Sequence, residues 1–217
     1  MECFSLRFSK GVDMARPKRV EGEKTAYERM EDAFWDMLAE MPYHDMTGKE
    51  VRVRAGVSHN TFYYYFENMD DMARKMFDRI VITEAPLVIL SVMAGDSTID
   101  DAKARIPQGE LRIKRISLLA RSGSSLLTDM LRETLINAWL NTVGLEEDDL
   151  TEADRMDLTF MFGGVITLLS SDYTDDTDLL TAFAQGEIGQ GMFRKMQQLA
   201  KRGNDAGRRD FEVHHGA

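Results

Sequence analysis

The side chains with the most obvious chemistry lie between residues 58 and 64. Ser58, His59, Asn60 and Thr61 are short hydrogen-bonding groups in a row, and Tyr63 and Tyr64 add two phenols. Ser58 is placed to cap a helix whose first turn presents the polar groups. Polar residues at such a helix start reach base edges in a major groove, while phenols and backbone amides hold phosphates. A lone exposed histidine does nothing by itself. The whole run, with no apolar partner in sight, points to nucleic acid.

Other chemistries find no footing. Cys3 is the only cysteine, which excludes an internal disulfide framework and a multi-cysteine zinc site and points to a reducing, cytoplasmic compartment. His44, His214 and His215 have no cysteine or carboxylate at ligand spacing, so no metal site is expected. No serine occupies a Gly-x-Ser-x-Gly turn, and the carboxylates sit on charged helix faces and loops. Gly186-Glu187-Ile188-Gly189-Gln190-Gly191 has a phosphate loop's glycines but neither its Lys-Ser/Thr nor a preceding strand. The expectation is a protein without enzymatic activity, metal or cofactor.

The elements that must position residues 58–64 are legible on both sides. Thr47-Gly48-Lys49-Glu50 is a capping box opening a short helix to Ala55. Gly56 accepts the positive φ of a tight turn, and Val57 plugs the angle between helices, with Val51, Phe62 and Tyr65 facing it. Phe66 joins Phe62 and Tyr65 on the inner face. Upstream, Thr25-Ala26-Tyr27-Glu28 is a second capping box, followed by an apolar stripe of Met30, Ala33, Phe34, Met37 and Leu38 closed by Pro42. Downstream, Asn68 with Asp71 opens a long fourth helix bearing Met72, Ala73, Met76, Phe77, Ile80 and Val81, interrupted at Pro86.

The remainder is helical too, making an all-α fold: an N-terminal three-helix helix-turn-helix domain and a C-terminal helical domain. Residues 94–109 read as a loop or weak helix, and 111–120 as a short helix. Leu126, Leu127, Met130, Leu131, Thr134, Leu135, Ala138 and Trp139 form a regular stripe. Residues 153–171 are apolar on every side, so this helix is buried on more than one side. A last helix is expected over about 179–201, with Ala182, Gly186 and Gly189 as a small-residue stripe for close helix approach. The expected division is a flexible basic arm over 1–20, the helix-turn-helix over 21–67, the regulatory domain over 68–202 and a disordered tail over 203–217. Met14 offers a second start, which makes residues 1–13 an upstream extension.

Charge bears on the DNA reading from both directions. There are 27 basic and 37 acidic residues, a net of −10, so the surface as a whole does not attract phosphate. Around the motif Lys49, Arg52 and Arg54 outnumber Glu50, and Arg16, Lys18 and Arg19 form an acid-free arm. That arm can follow a phosphate strand or adjacent minor groove, or serve as a solubilising tail. The first helix carries Glu28, Glu31, Asp32, Asp36 and Glu40, which must turn away from DNA. The apolar stretches 87–92 and 160–169 fall short of the ~20 residues a membrane span needs.

AGVSHNTFYYYF followed by EN-x-DD resembles the tetracycline-repressor (TetR) family of bacterial transcription factors, and the resemblance covers residues 25–77. It places Ser58, His59, Asn60 and Thr61 where the family reads bases, and Tyr63, Tyr64 and Thr47 where it grips phosphates. Two departures stand out. Arg52 replaces a small residue between the helices, its stem covering the crossing while the guanidinium reaches outward. Met69 replaces a common lysine, removing one phosphate contact. The resemblance further implies a homodimeric repressor with a helical small-molecule pocket, released from a palindromic operator when its effector binds. Two-fold symmetry sets half-sites one or two turns apart, at ~34–36 Å per turn. Helical phase offers Met130, Thr134, Asn137, Phe162 and Ile166 as pocket residues, each equally suited to a plain core. The rival is a same-fold interaction protein with weakened DNA recognition, kept open by Arg52, Met69 and the acidic balance.

Overall fold

A computed structural model describes residues 24–81 and 85–215, without the side chains of 205–215. Arg16, Lys18 and Arg19, with Cys3 and Met14, lie outside the described residues, as do the side chains of His214 and His215. All regular structure among the described residues is helical, as the all-α expectation has it. The helix-turn-helix unit consists of α1 (Ala26–Glu40), α2 (Gly48–Ala55) and α3 (His59–Tyr65). Both capping boxes form: the Thr25 and Thr47 hydroxyls accept from the amides of Glu28 and Glu50, whose carboxylates reach back.

Next comes α4 (Met69–Asp78), capped by Asn68, then α5 (Ala85–Met93), α6 (Ile99–Arg105) and α7 (Gly109–Arg121). The long helices α8 (Ser125–Val143) and α9 (Glu152–Leu169) precede α10 (Thr177–Gln185) and α11 (Glu187–His215). Two expected helix boundaries are corrected. The fourth helix stops at Asp78, and Pro86 lies in the first turn of α5, where a missing N–H costs nothing. Of the two alternatives for 94–109, a loop or a weak helix, part takes the helical one: α6, opened by a capping box of Thr98 and Asp101.

The other correction concerns the last helix. Gly186 is extended (φ −76°, ψ −177°) and splits the expected 179–201 helix into α10 and α11. Ala182, Gly186 and Gly189 are therefore not one stripe. A Cβ on Gly189 would lie 2.0 Å from the Ala184 carbonyl oxygen, so this glycine serves the fold-back of α11 onto α10 within one chain. The helix α11 also continues past Arg202 to His215, where the sequence reading expects a disordered tail.

One apolar core runs from the helix-turn-helix unit into the body. Met30, Phe34, Phe62, Phe66, Met72 and Met76 are buried in the same cluster as Leu119, Leu127, Leu131 and Ile166. Two smaller clusters complete the body: Trp139, Leu158, Phe162 and Leu199 where α8, α9 and α11 meet, and Val92, Met93, Ala102 and Ala184 where α5, α6 and α10 meet. The helix α9 differs from its expected all-round burial. Asp154, Leu158, Phe162 and Ile166 face inward, while Met156 and Phe160 are 73% and 85% exposed.

Candidate functional site

The polar helix is held by its own inner face. Phe62 and Phe66 are each 1% exposed, with rings 5.4 Å apart, and Tyr27 of α1 stacks against Phe66 at 5.4 Å and Tyr65 at 5.5 Å. A Cβ on Gly48 would lie 3.2 Å from the Phe62 ring, so α2 and α3 cross where α2 has no side chain. The turn between them follows the expected chemistry: Gly56 is left-handed (φ 63°), and the Val57 amide donates to the Arg52 carbonyl at 3.0 Å. From α1, Arg29 Nε donates to the Ala55 carbonyl at 2.9 Å, fixing the end of α2.

What this scaffold holds outward is the candidate nucleic-acid interface. His59, Asn60, Tyr63 and Tyr64 are exposed, Tyr64 at 80%. The His59 and Tyr63 rings, one turn apart, touch with centroids 4.6 Å apart and planes tilted by 54°. Ser58 caps α3 by accepting from the Thr61 amide at 3.1 Å, and its hydroxyl lies 2.8 Å from that of half-buried Thr61. Thr47, exposed at the start of α2, donates its hydroxyl to Glu50 at 2.7 Å. Ser58 and Thr47 thus serve as caps and the Thr61 hydroxyl is held by Ser58, leaving His59, Asn60 and the two phenols as the outward side chains. Met69 is half-buried and packs on the core, and Arg52 is half-buried in α2.

The acids of α1 take cation partners that spacing along the helix does not reveal. Glu40 takes Arg54 at 2.6 Å, withdrawing one cation from the motif's local excess, and Asp32 takes Lys24 at 2.5 Å. Glu31 goes inward. It is 7% exposed and accepts from Arg115 of α7 at 2.9 Å and pairs with Arg79 beyond α4 at 3.0 Å. The Arg115 guanidinium lies 4.9 Å from the Trp35 ring centre. Glu31 has a sequence signal: it stands three, four and seven residues before Phe34, Trp35 and Leu38, in phase with an apolar face. Tyr43 adds a second tie, donating to Asp70 of α4 at 2.7 Å, and burial together with that carboxylate pushes its phenol above the ordinary value.

The 45 positions from 32 to 76 match the model for bacterial regulatory proteins of the tetR family. This is a tetR-family domain. The family is one of DNA-binding transcriptional regulators, and the matched residues hold α2, the turn and α3 complete. No curated protein and no solved structure matches the chain. Among the described residues no helix is long and apolar enough to cross a membrane.

Behind the tetR-family domain the body is hollow. A cavity of about 220 Å³ opens between the end of α4 and helices α5, α7, α8, α9 and α11. Its wall is hydrocarbon and aromatic, with Ile80, Ile89, Ile116, Leu135, Trp139 and Phe162 among the lining side chains. Of the residues expected from helical phase, Thr134 and Phe162 line it. Met130, Asn137 and Ile166 do not: Met130 and Ile166 pack in the main core, and Asn137 is exposed. Phase marks the inner face of a helix but cannot say where neighbouring helices leave a gap. The wall residues Ile89, Trp139 and Val165 are therefore not marked as pocket residues by phase.

Proposed function

We propose that the chain is a homodimeric repressor that binds a palindromic operator through α3 and leaves it when a small molecule enters the cavity. The observation that carries the DNA part is the outward platform of His59, Asn60, Tyr63 and Tyr64 on a helix pinned by Phe62 and Phe66. In this reading His59 and Asn60, with the cap Ser58 and its partner Thr61, meet base edges, while Tyr63, Tyr64 and Thr47 meet phosphates. Arg16, Lys18 and Arg19 extend the phosphate contacts along the neighbouring groove.

The dimer is supported by the outer face of α9. Met156 and Phe160 are exposed, and Gly163 and Gly164, one turn on, have nothing within 4 Å of where a Cβ would stand. A knob beside a pit on the same helix is self-complementary: under two-fold symmetry Phe160 of each copy fills the glycine pit of the other. Release follows from position. Phe77 and Ile80 line the cavity, and Arg79 between them holds Glu31 of α1. An occupant that moves the end of α4 therefore shifts the orientation of α3 in each half-site, and it acts only as far as it prefers the shifted state.

Selection of bound duplexes from a random library at moderate salt tests the reading, with Tyr63→Ala/Tyr64→Ala as control. The expected result is a palindrome bound by the wild type and lost in the double variant. Enrichment of nothing at micromolar protein overturns it in favour of an interaction protein of the same fold, a reading favoured by the Arg54–Glu40 pair and the acidic surface.

A further inference from the structure

We infer that the cavity selects an uncharged, largely hydrocarbon effector the size of one substituted ring, with a single hydroxyl or carbonyl group met by Thr134. The inference rests on the regulator reading for its biological meaning, but its physical basis is the cavity wall alone. No lining residue is charged. Of the cations next in sequence to wall residues, Arg79 and Arg115 are committed to Glu31, Arg132 pairs with Asp129, Arg105 and Lys114 are exposed, and Arg112 is not part of the wall. An ionised ligand therefore loses its hydration and finds no counter-charge, which is the costliest kind of burial.

The polar side-chain groups on the wall are the Thr134 hydroxyl and the Trp139 indole. Two other threonines of α8, Thr128 and Thr142, donate to carbonyls four residues back at 2.9 and 2.8 Å. Thr134 makes no such bond among the described residues, so its hydroxyl retains both donor and acceptor capacity. Size sets the other limit. An apolar cavity of about 150 Å³ holds one benzene, so about 220 Å³ admits a ring with a short branch and one small polar group. The Trp139 and Phe162 rings, 6.3 Å apart and tilted by 50°, give such a ring two aromatic faces to pack against.

Three probes of one shape and different charge test this on the full chain by isothermal titration: 4-isopropylbenzyl alcohol, 4-isopropylbenzoate and 4-isopropylbenzylammonium. The alcohol is expected to bind at least ~30-fold more tightly than either ion. Ala138→Leu, which fills the cavity, should abolish binding with the helical circular dichroism retained. Thr134→Val should weaken the alcohol roughly three- to tenfold while leaving 4-isopropyltoluene unchanged; it carries the test if the filled variant does not fold. Equal binding of an ion, no binding of the alcohol up to its solubility limit, or full binding by a folded Ala138→Leu chain overturns the inference. The titrations contain no DNA. A failed operator selection would therefore overturn the regulator reading and leave this result standing.

Discussion

The helix-turn-helix unit and the body behind it are built on opposite principles. In the first, α1 to α4 close on a filled core in which Met30, Phe34, Val51 and Met72 have no exposed surface, and the useful groups stand outside. In the second, longer helices stop short of filling the space they enclose, and the useful surface is the inner wall of a cavity. A reader of DNA needs side chains held in fixed register, so its scaffold is dense. In the proposed function the body is a sensor, which needs a state that a ligand can change and therefore room. The two are joined by the continuous core and by the Arg79–Glu31–Arg115 cluster.

The strongest way to break the contrast is to open the dense region. Phe62→Ala removes the ring that sits under Gly48 and should cost about 3–5 kcal/mol. Because Phe62 shares its core with Leu127 and Leu131 of the body, urea unfolding followed by circular dichroism should show one earlier transition. Two separated transitions would mean that the regions are independent. Next in size is the joint. Glu31→Gln leaves the largely buried Arg115 facing no anion and should cost about 3 kcal/mol in the same assay. Adding Arg115→Met should recover part of that loss, since an apolar replacement needs no counter-charge.

Within the body, Asp154 of α9 binds Lys195 and Arg202 of α11 at 2.8 and 2.7 Å. Burial disfavours its ionised form, yet the bonds from Lys195, Thr151 and Arg202 outweigh this and hold the carboxyl well below its ordinary value of 3.8. A depressed folded pKa gives stability that is present above pH 3.8 and lost as the pH falls through the folded value. Asp154→Asn should lower stability by about 1–2 kcal/mol at neutral pH. It should also flatten the loss below pH 4 in a series of thermal melts, which checks the sign. Smallest of all is Tyr64→Ala, at an 80% exposed position: a stability change within about 0.5 kcal/mol, together with loss of operator affinity in a mobility-shift titration. A large destabilisation there would place Tyr64 in the scaffold and not in the interface.

The sequence was most informative where structure is local. The capping boxes at Thr25 and Thr47, the left-handed Gly56 and the caps at Ser58 and Asn68 all depend on residues within four positions of one another, and all form. Gly186 shows where that reasoning ends. The same small residue suits a helix interface or a helix break, and only the packing of α11 back onto α10 selects the break. Phe160 is similar: its apolar character announces burial, yet the packing of α9 leaves it 85% exposed.

By itself, the sequence determined an all-helical chain and a polar, phenol-bearing helix held in a helix-turn-helix, because periodicity, caps and turn residues act through neighbours along the chain. Tertiary structure alone decided that Glu31 turns inward to two arginines, that Arg54 is neutralised by Glu40, and that Thr134 and Phe162, but not Met130, Asn137 or Ile166, face the cavity. Ion pairs between distant helices and the gaps those helices leave depend on how separate elements meet in space, and no single segment encodes that meeting.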